Sequence, residues 1–153
     1  MMLSIGNLNI SPKEEINELV LAGNLHDIGK IAMPEEILHK PSKLTDEEYE
    51  VIKTHTEIGY RILNAVKKYD KIALATLHHH ERYDGKGYPR GLKGEDIPLY
   101  SRIISVVDAY EAMTSDRVYR KAPGKDFAIE ELKRFSGTQF DPKIVDMFIQ
   151  CIN

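Results

Sequence analysis

Leu25-His26-Asp27-Ile28-Gly29-Lys30 is the stretch on which the reading of this chain turns. An imidazole and a carboxylate stand side by side there between apolar residues. Further His and Asp residues recur downstream at intervals of roughly one helix plus one loop, a pattern that lets several helices offer ligands to one metal. Upstream, Ser11-Pro12-Lys13-Glu14 is a helix start: Ser11 caps, Pro12 suits the first helical position and Glu14 completes a capping box. Ile16, Leu19, Val20 and Gly23 follow at helical spacing. The spacing predicts a helix from Pro12 to Asp27 that presents His26 and Asp27 on its buried side, with Gly29 as its C-terminal breaker.

Downstream, Pro34 to Leu38 reads as a short helical piece ended by Pro41-Ser42. Thr45-Asp46-Glu47-Glu48 is a second capping box and opens a helix predicted to run to about Lys67. On it Val51, His55, Ile58 and Ile62 form one row, and its three apolar members imply that His55 points inward. Ile72, Ala73, Leu74, Ala75 and Leu77 mark a buried helix that ends in His78, His79 and His80. Residues 82 to 98 hold Gly85, Gly87, Gly91, Gly94, Pro89 and Pro98 and form a long loop. Loops of that length inside a compact domain are usually functional or disordered. Tyr100 to Met113 is apolar nearly all round, which predicts a buried helix with Asp108 in its middle. Asp126 opens a helix to about Ser136 with Gly137 past its end, and Asp141-Pro142 opens the last. No strand pattern, repeat or low-complexity segment interrupts this all-α reading.

The chain has 153 residues, the length of one domain with a real core: a lead-in over 1–10 and a helical core over 11–153. Net charge is -3, so no basic surface calls for a nucleic acid polymer. Basic side chains do gather between Arg82 and Lys93 and between Arg117 and Lys125, a pattern suited to a small anionic ligand. Cys151 is the only cysteine, which excludes an internal disulfide and makes a cytoplasmic setting the default. There is no signal-peptide pattern and no window near the roughly 18 apolar residues of a membrane span.

His26-Asp27, His55, the 78–80 run and Asp108 fall on four separate predicted helices. Imidazole and carboxylate together suit iron, manganese, zinc or similar cations. Taken singly, each has a plainer role. A lone inward His is usually a hydrogen-bonded core residue. Asp108 could pair with Arg102, and the His run could be a solvated helix end. The conjunction changes the weight, because several inward polar groups in one small core need a common partner, and a metal pair is the simplest. Lys30, one turn after His26-Asp27, is either a solvated cation or one placed to stabilise a phosphoryl transition state. The loop glycines around Tyr88 either make a plain connector or expose backbone N–H groups to phosphate, with Tyr88 free to stack on a base.

His26-Asp27-Ile28-Gly29-Lys30 resembles the signature of HD-domain phosphohydrolases. The run from His79 through Gly87-Tyr88-Pro89 resembles the HD-GYP subfamily, as do the segment from Asp108 to Arg120 and Gly137-Thr138-Gln139-Phe140-Asp141-Pro142. The resemblance covers about Ile5 to Phe148. It implies an HD-domain helical bundle, a bacterial signalling domain that hydrolyses cyclic di-GMP to pGpG, GMP or both. It implies two or three divalent metals, iron or manganese first and zinc, nickel or magnesium as alternatives. Carried over by position, the metal ligands are His26, Asp27, His55, His79, His80 and Asp108, with Asp27 bridging. Asp27 and Lys30 are the catalytic positions. Lys30 meets the scissile phosphate, and Tyr88, Arg117 and Arg120 hold the dinucleotide. His78 is not a ligand.

One feature departs from the pattern. Family members begin with a further helix, before the position matching Ser11, which supplies another metal-binding His. Here Ile5 to Ser11 resembles the turn after that helix, and no histidine precedes His26. The reading therefore predicts an apolar groove without its cover, filled in a homo-oligomer or by an upstream sensor domain. The rival expectations are a non-catalytic module that binds cyclic di-GMP or a partner protein, and an HD phosphohydrolase acting on other nucleotides.

Overall fold

The computed structural model describes residues 12–116 and 121–152. Within them the chain is helical: α1 (Pro12–Leu25), α2 (Glu35–Leu38), α3 (Asp46–Lys53), α4 (His55–Asn64), α5 (Asp70–His78), α6 (Leu99–Thr114), α7 (Lys125–Arg134) and α8 (Pro142–Ile152). Short 3-10 turns span Ile28–Ala32, Lys67–Tyr69 and Gly94–Asp96. Among the described residues the only sheet-like pairing is an isolated bridge between Ser136 and Phe140. The all-α expectation holds. None of these helices is long and apolar enough to cross a membrane.

α5 is the centre of the bundle because it is apolar on most sides. Ile72, Ala73, Ala75, Thr76 and Leu77 are all buried, and α1, α4 and α6 pack around it. Ala22, Leu63 and Ile104 join Ile72, Ala73 and Ala75 in one core. A second core of Val106, Leu132, Phe140 and Val145 fastens α7 and α8 to the far half of α6. Arg102 on α6 donates to the buried Asp141 carboxylate at 2.5 Å. Arg102 is therefore committed to Asp141, and the alternative of an Arg102–Asp108 tie fails.

Helix boundaries differ from the periodicity in several places. α1 stops at Leu25, and His26 and Asp27 sit in the turn that leads into Ile28–Ala32. The helix expected to run from Asp46 to Lys67 is broken at Thr54. Three consecutive side chains take the carbonyls three residues back: Thr54 Oγ1 to Val51 at 2.7 Å, His55 Nδ1 to Ile52 at 2.6 Å and Thr56 Oγ1 to Lys53 at 3.0 Å. Side chains that compete for the ladder in this way bend or end a helix. Ser11, the expected cap of α1, lies outside the described residues. The capping box at Thr45 forms as expected, with Glu48 N–H donating to Thr45 and Thr45 N–H to the Glu48 carboxylate.

α6 is less enclosed than an all-apolar helix should be. Val107 is 44% exposed, and beside it lie Val20 on α1 and Met147 on α8, at 58% and 38%. Leu19, Gly23 and Ile103 continue the same open apolar groove. The polarity of α6 is right for burial, but neighbouring described helices cover only one side of it.

Candidate metal centre

Four segments converge beside the C-terminal end of α5. The turn after α1 supplies His26 and Asp27, the start of α4 supplies His55, the turn after α5 supplies His79 and His80, and the middle of α6 supplies Asp108. Asp27, His55, His79 and His80 each offer a ligand atom within 4.8 Å of all the others. His26 and Asp108 adjoin this group: His26 Nε2 is 3.5 Å from Asp27 Oδ2 and 3.7 Å from Asp108 Oδ1. Asp27 has one oxygen on each side, with Oδ1 at 3.3 Å from His55 Nε2 and 3.8 Å from His79 Nε2.

The rings are held by one repeated device. His26 Nδ1 donates to Gly23 O at 2.6 Å, His55 Nδ1 to Ile52 O at 2.6 Å and His79 Nδ1 to Thr76 O at 2.7 Å. A carbonyl only accepts, so each Nδ1 carries a proton and each ring directs its Nε2 into the pocket, where a deprotonated Nε2 can ligate a metal. His55 Nε2 and His79 Nε2 then face one another at 3.4 Å, both almost fully buried. Two ring nitrogens at that distance need a proton or a metal cation between them. Asp27 Oδ1 is also buried with no hydrogen-bond partner, and an orphaned buried carboxylate oxygen is costly. The donor set fits a divalent metal of the imidazole and carboxylate type.

Charge in the pocket follows from burial. Burial pushes the His80 imidazole down to about 4, helped by the neighbouring His55. Burial, then the charges of His80 and His26, drives His79 well below its ordinary value. Burial opposes charge on His26, yet Asp108, the Gly23 carbonyl and Asp27 raise it. Burial pushes the Asp27 carboxyl up, but adjacent His55 and Lys30 outweigh it and hold it well below the usual carboxylate range. Asp108 is held low first by its hydrogen bond with His26.

These directions predict a pH dependence for metal-free protein. Between the ordinary His value of 6.5 and about 4, the unfolded chain binds a proton at residue 80 that the folded chain does not. Stability therefore falls as pH drops through that window, by about 3 kcal/mol from His80, and His79 adds in the same direction. His26, shifted upward, gives a stabilisation that is complete below 6.5 and constant across the window. Asp27 and Asp108, shifted downward, act only below the ordinary Asp value of 3.8. Urea denaturation of metal-free protein from pH 7 to 4 checks this, and a flat profile contradicts it.

Lys30 lies at 2.5 Å from Asp27 Oδ2 and is 41% exposed, so its ammonium stands at the mouth of the pocket. Tyr88 is placed differently from its expected role. Its ring stacks on His80, with centroids 4.9 Å apart and planes at 28°, so that face backs the cluster and is closed to a base. Arg117 and Arg120 lie outside the described residues. His78 turns away from the pocket toward Glu81 at 3.4 Å.

Glu81 was missed as a functional residue in the sequence. Its carboxylate is buried and accepts from Arg90 N–H at 2.7 Å and Leu92 N–H at 3.1 Å. It thus ties the Gly-rich loop to the end of α5. Gly87 passes so close to that tie that an added Cβ would lie 2.3 Å from Arg82 N and 2.5 Å from Glu81 Cα. The available signal was a lone acid directly between the histidines and a segment too rich in glycine to satisfy its own amides.

Comparison with known proteins agrees with this geometry. A family model described as HD domain matches residues 1–144. The chain is 45% identical over 140 residues to the cyclic di-GMP phosphodiesterase response regulator RpfG of Xanthomonas campestris pv. campestris, covering 90% of this chain and 37% of that protein. It is 43% identical over 137 residues to a cyclic di-GMP phosphodiesterase of Thermotoga maritima, covering 88% and 37%. The chain thus spans little more than a third of the length of these relatives. A crystal structure of a cyclic GMP-AMP specific phosphodiesterase of Vibrio cholerae superposes with a TM-score of 0.70 at 21% identity, over 94% of this chain and 39% of that one, and shares the fold. This chain belongs to the HD-domain family, within its HD-GYP branch.

Proposed function

We propose that this chain is a metal-dependent phosphodiesterase domain that opens cyclic di-GMP to linear pGpG, GMP or both. The carrying observation is the convergence of Asp27, His55, His79 and His80, with the buried Nε2 atoms of His55 and His79 3.4 Å apart beside Asp27 Oδ1. In this reading His55, His79, His80 and Asp27 hold one divalent cation, and His26, Asp108 and the other Asp27 oxygen hold a second. The imidazole donors suit iron, zinc or nickel and the carboxylates suit manganese, while magnesium prefers all-oxygen sites. Bound there, a metal pair supplies Lewis acidity and a nucleophile at neutral pH.

The remaining work falls to the chain. Asp27 orders the pocket through both of its oxygens. Lys30 leaves Asp27 partly and offers its ammonium to a non-bridging phosphate oxygen, where charge grows in the transition state. Tyr88 fixes the His80 ring by stacking, and its buried hydroxyl stays protonated because burial, then the nearby Tyr49 and Asp27, raise it above the ordinary phenol range. Arg117 and Arg120 bind the dinucleotide phosphates in this scheme.

The experiment is incubation of purified protein with cyclic di-GMP and Mn(II) or Fe(II), followed by chromatography. Formation of pGpG or GMP that chelator abolishes is the expected result. No turnover, together with no metal in folded protein, would overturn the proposal.

A further inference from the structure

Beside the metal centre lies an open cleft of about 180 Å³ lined by Glu50, Lys53, Thr54, Glu57, Tyr88 and Pro89. It shares only Tyr88 with the cluster: one face of that ring backs His80, and the ring also forms a wall of the cleft. A ligand whose phosphodiester lies at the cluster therefore has this cleft one aromatic ring away. The Tyr88 wall suits a purine. Tyr49, outside the lining, stands edge-on to Tyr88 with centroids 6.4 Å apart and steadies its ring. The Lys53 ammonium lies 5.5 Å from the Tyr49 ring and 5.6 Å from the Tyr88 ring. Aromatic faces with a nearby cation bind bases by stacking.

The polar groups of the cleft are not equally free. The Thr54 hydroxyl donates to Val51 O at 2.7 Å, and Glu50 is held by Lys53 at 2.5 Å. Glu57 is different. Its Oε1 is 3.5 Å from Arg90 and its Oε2 is 4.0 Å from Arg61, and both guanidiniums are largely exposed. Such loose exposed pairs hold little energy, so Glu57 keeps both oxygens open to a ligand. Two parallel acceptors match the N1–H and N2–H donors of guanine. Adenine offers an acceptor at N1, which a carboxylate repels.

We propose that this cleft is a guanine subsite, in which Glu57 accepts from the base N1–H and N2–H while the base packs against Tyr88. The proposal rests on the cyclic dinucleotide reading of the neighbouring centre and names what selects between cyclic di-GMP and its adenine-containing analogues.

The test titrates GMP and AMP separately into the full chain and into Glu57→Gln, followed by NMR. The isosteric Gln turns one acceptor into a donor at an exposed position, and circular dichroism verifies the fold. Wild-type protein is expected to bind GMP about tenfold more tightly than AMP, as one charge-assisted pair allows. Glu57→Gln is expected to bring the two within about twofold. Equal affinities in wild type, or a preference that survives Glu57→Gln, would overturn the subsite. Hydrolysis of cyclic di-GMP by the same preparations separates the two ideas. Turnover without a GMP preference sinks the subsite alone, and a GMP preference without turnover sinks the hydrolytic reading alone.

Discussion

Asp27→Asn is expected to empty the cluster of metal and to lower phosphodiester hydrolysis on the order of a thousand-fold. Asn keeps the shape of the side chain but gives up its charge and one of its two oxygens. Asp27 has one oxygen facing His55 and His79 and the other facing His26 and Lys30. Its loss therefore disturbs both halves of the pocket together. Among the described residues it is also the carboxylate that groups with His55, His79 and His80, so the substitution takes away the negative charge that would hold a cation there. The fold should survive, since Asp27 lies in a turn and is about one-third exposed. Metal analysis by mass spectrometry and steady-state hydrolysis check the prediction. His39→Ala is the control, because His39 is exposed at the end of α2 and lies outside the cluster. Metal content that is unchanged in Asp27→Asn would contradict the shared role.

Gly29→Ala is expected to have the largest effect on stability, about 3 kcal/mol or more, and to lower metal affinity as well. A Cβ at Gly29 would lie 1.9 Å from His55 O and 2.6 Å from Gly59 N. Both are backbone atoms of α4 and neither can swing aside. Relief requires the Ile28–Ala32 turn to move away from α4, and Asp27 and Lys30 move with it while His55 stays. Chemical denaturation and metal titration of the same variant should therefore show coupled losses. Gly23→Ala is the informative contrast. A Cβ there meets nothing within 4 Å, and replacing a helical glycine gains about 0.5–1 kcal/mol. Equal stability of the two variants would show that the close approach at Gly29 does not matter.

The convergence of His26, Asp27, His55, His79, His80 and Asp108 was legible in the sequence, because helical spacing and neighbouring small residues pointed these groups toward one place. The reasons were less legible. His55 was expected to turn inward with Val51, Ile58 and Ile62, yet Val51 and Ile62 are 37% and 44% exposed. His55 is buried because the helix breaks before it and its Nδ1 hooks the Ile52 carbonyl. A periodicity argument assumes an unbroken helix and misses such competition. Gly29 looked like a helix terminator, whereas its work is to let two backbones 26 residues apart in sequence touch, an approach that no local pattern encodes. The role of Glu81 depends on the path of the loop it ties, and Tyr88 turned out to face a ligand-type histidine where a free stacking surface was expected. The openness of α6 at Val107 belongs to the same class, since hydropathy says what a side chain prefers and only packing says what covers it.

The account depends most on a cation between the imidazoles and Asp27. Crystals grown with Mn(II), measured for anomalous scattering, test this directly. The predicted result is one peak among His55, His79, His80 and Asp27 and a second among Asp27, His26 and Asp108. A map with no peak at coordination distance from Asp27 would contradict it.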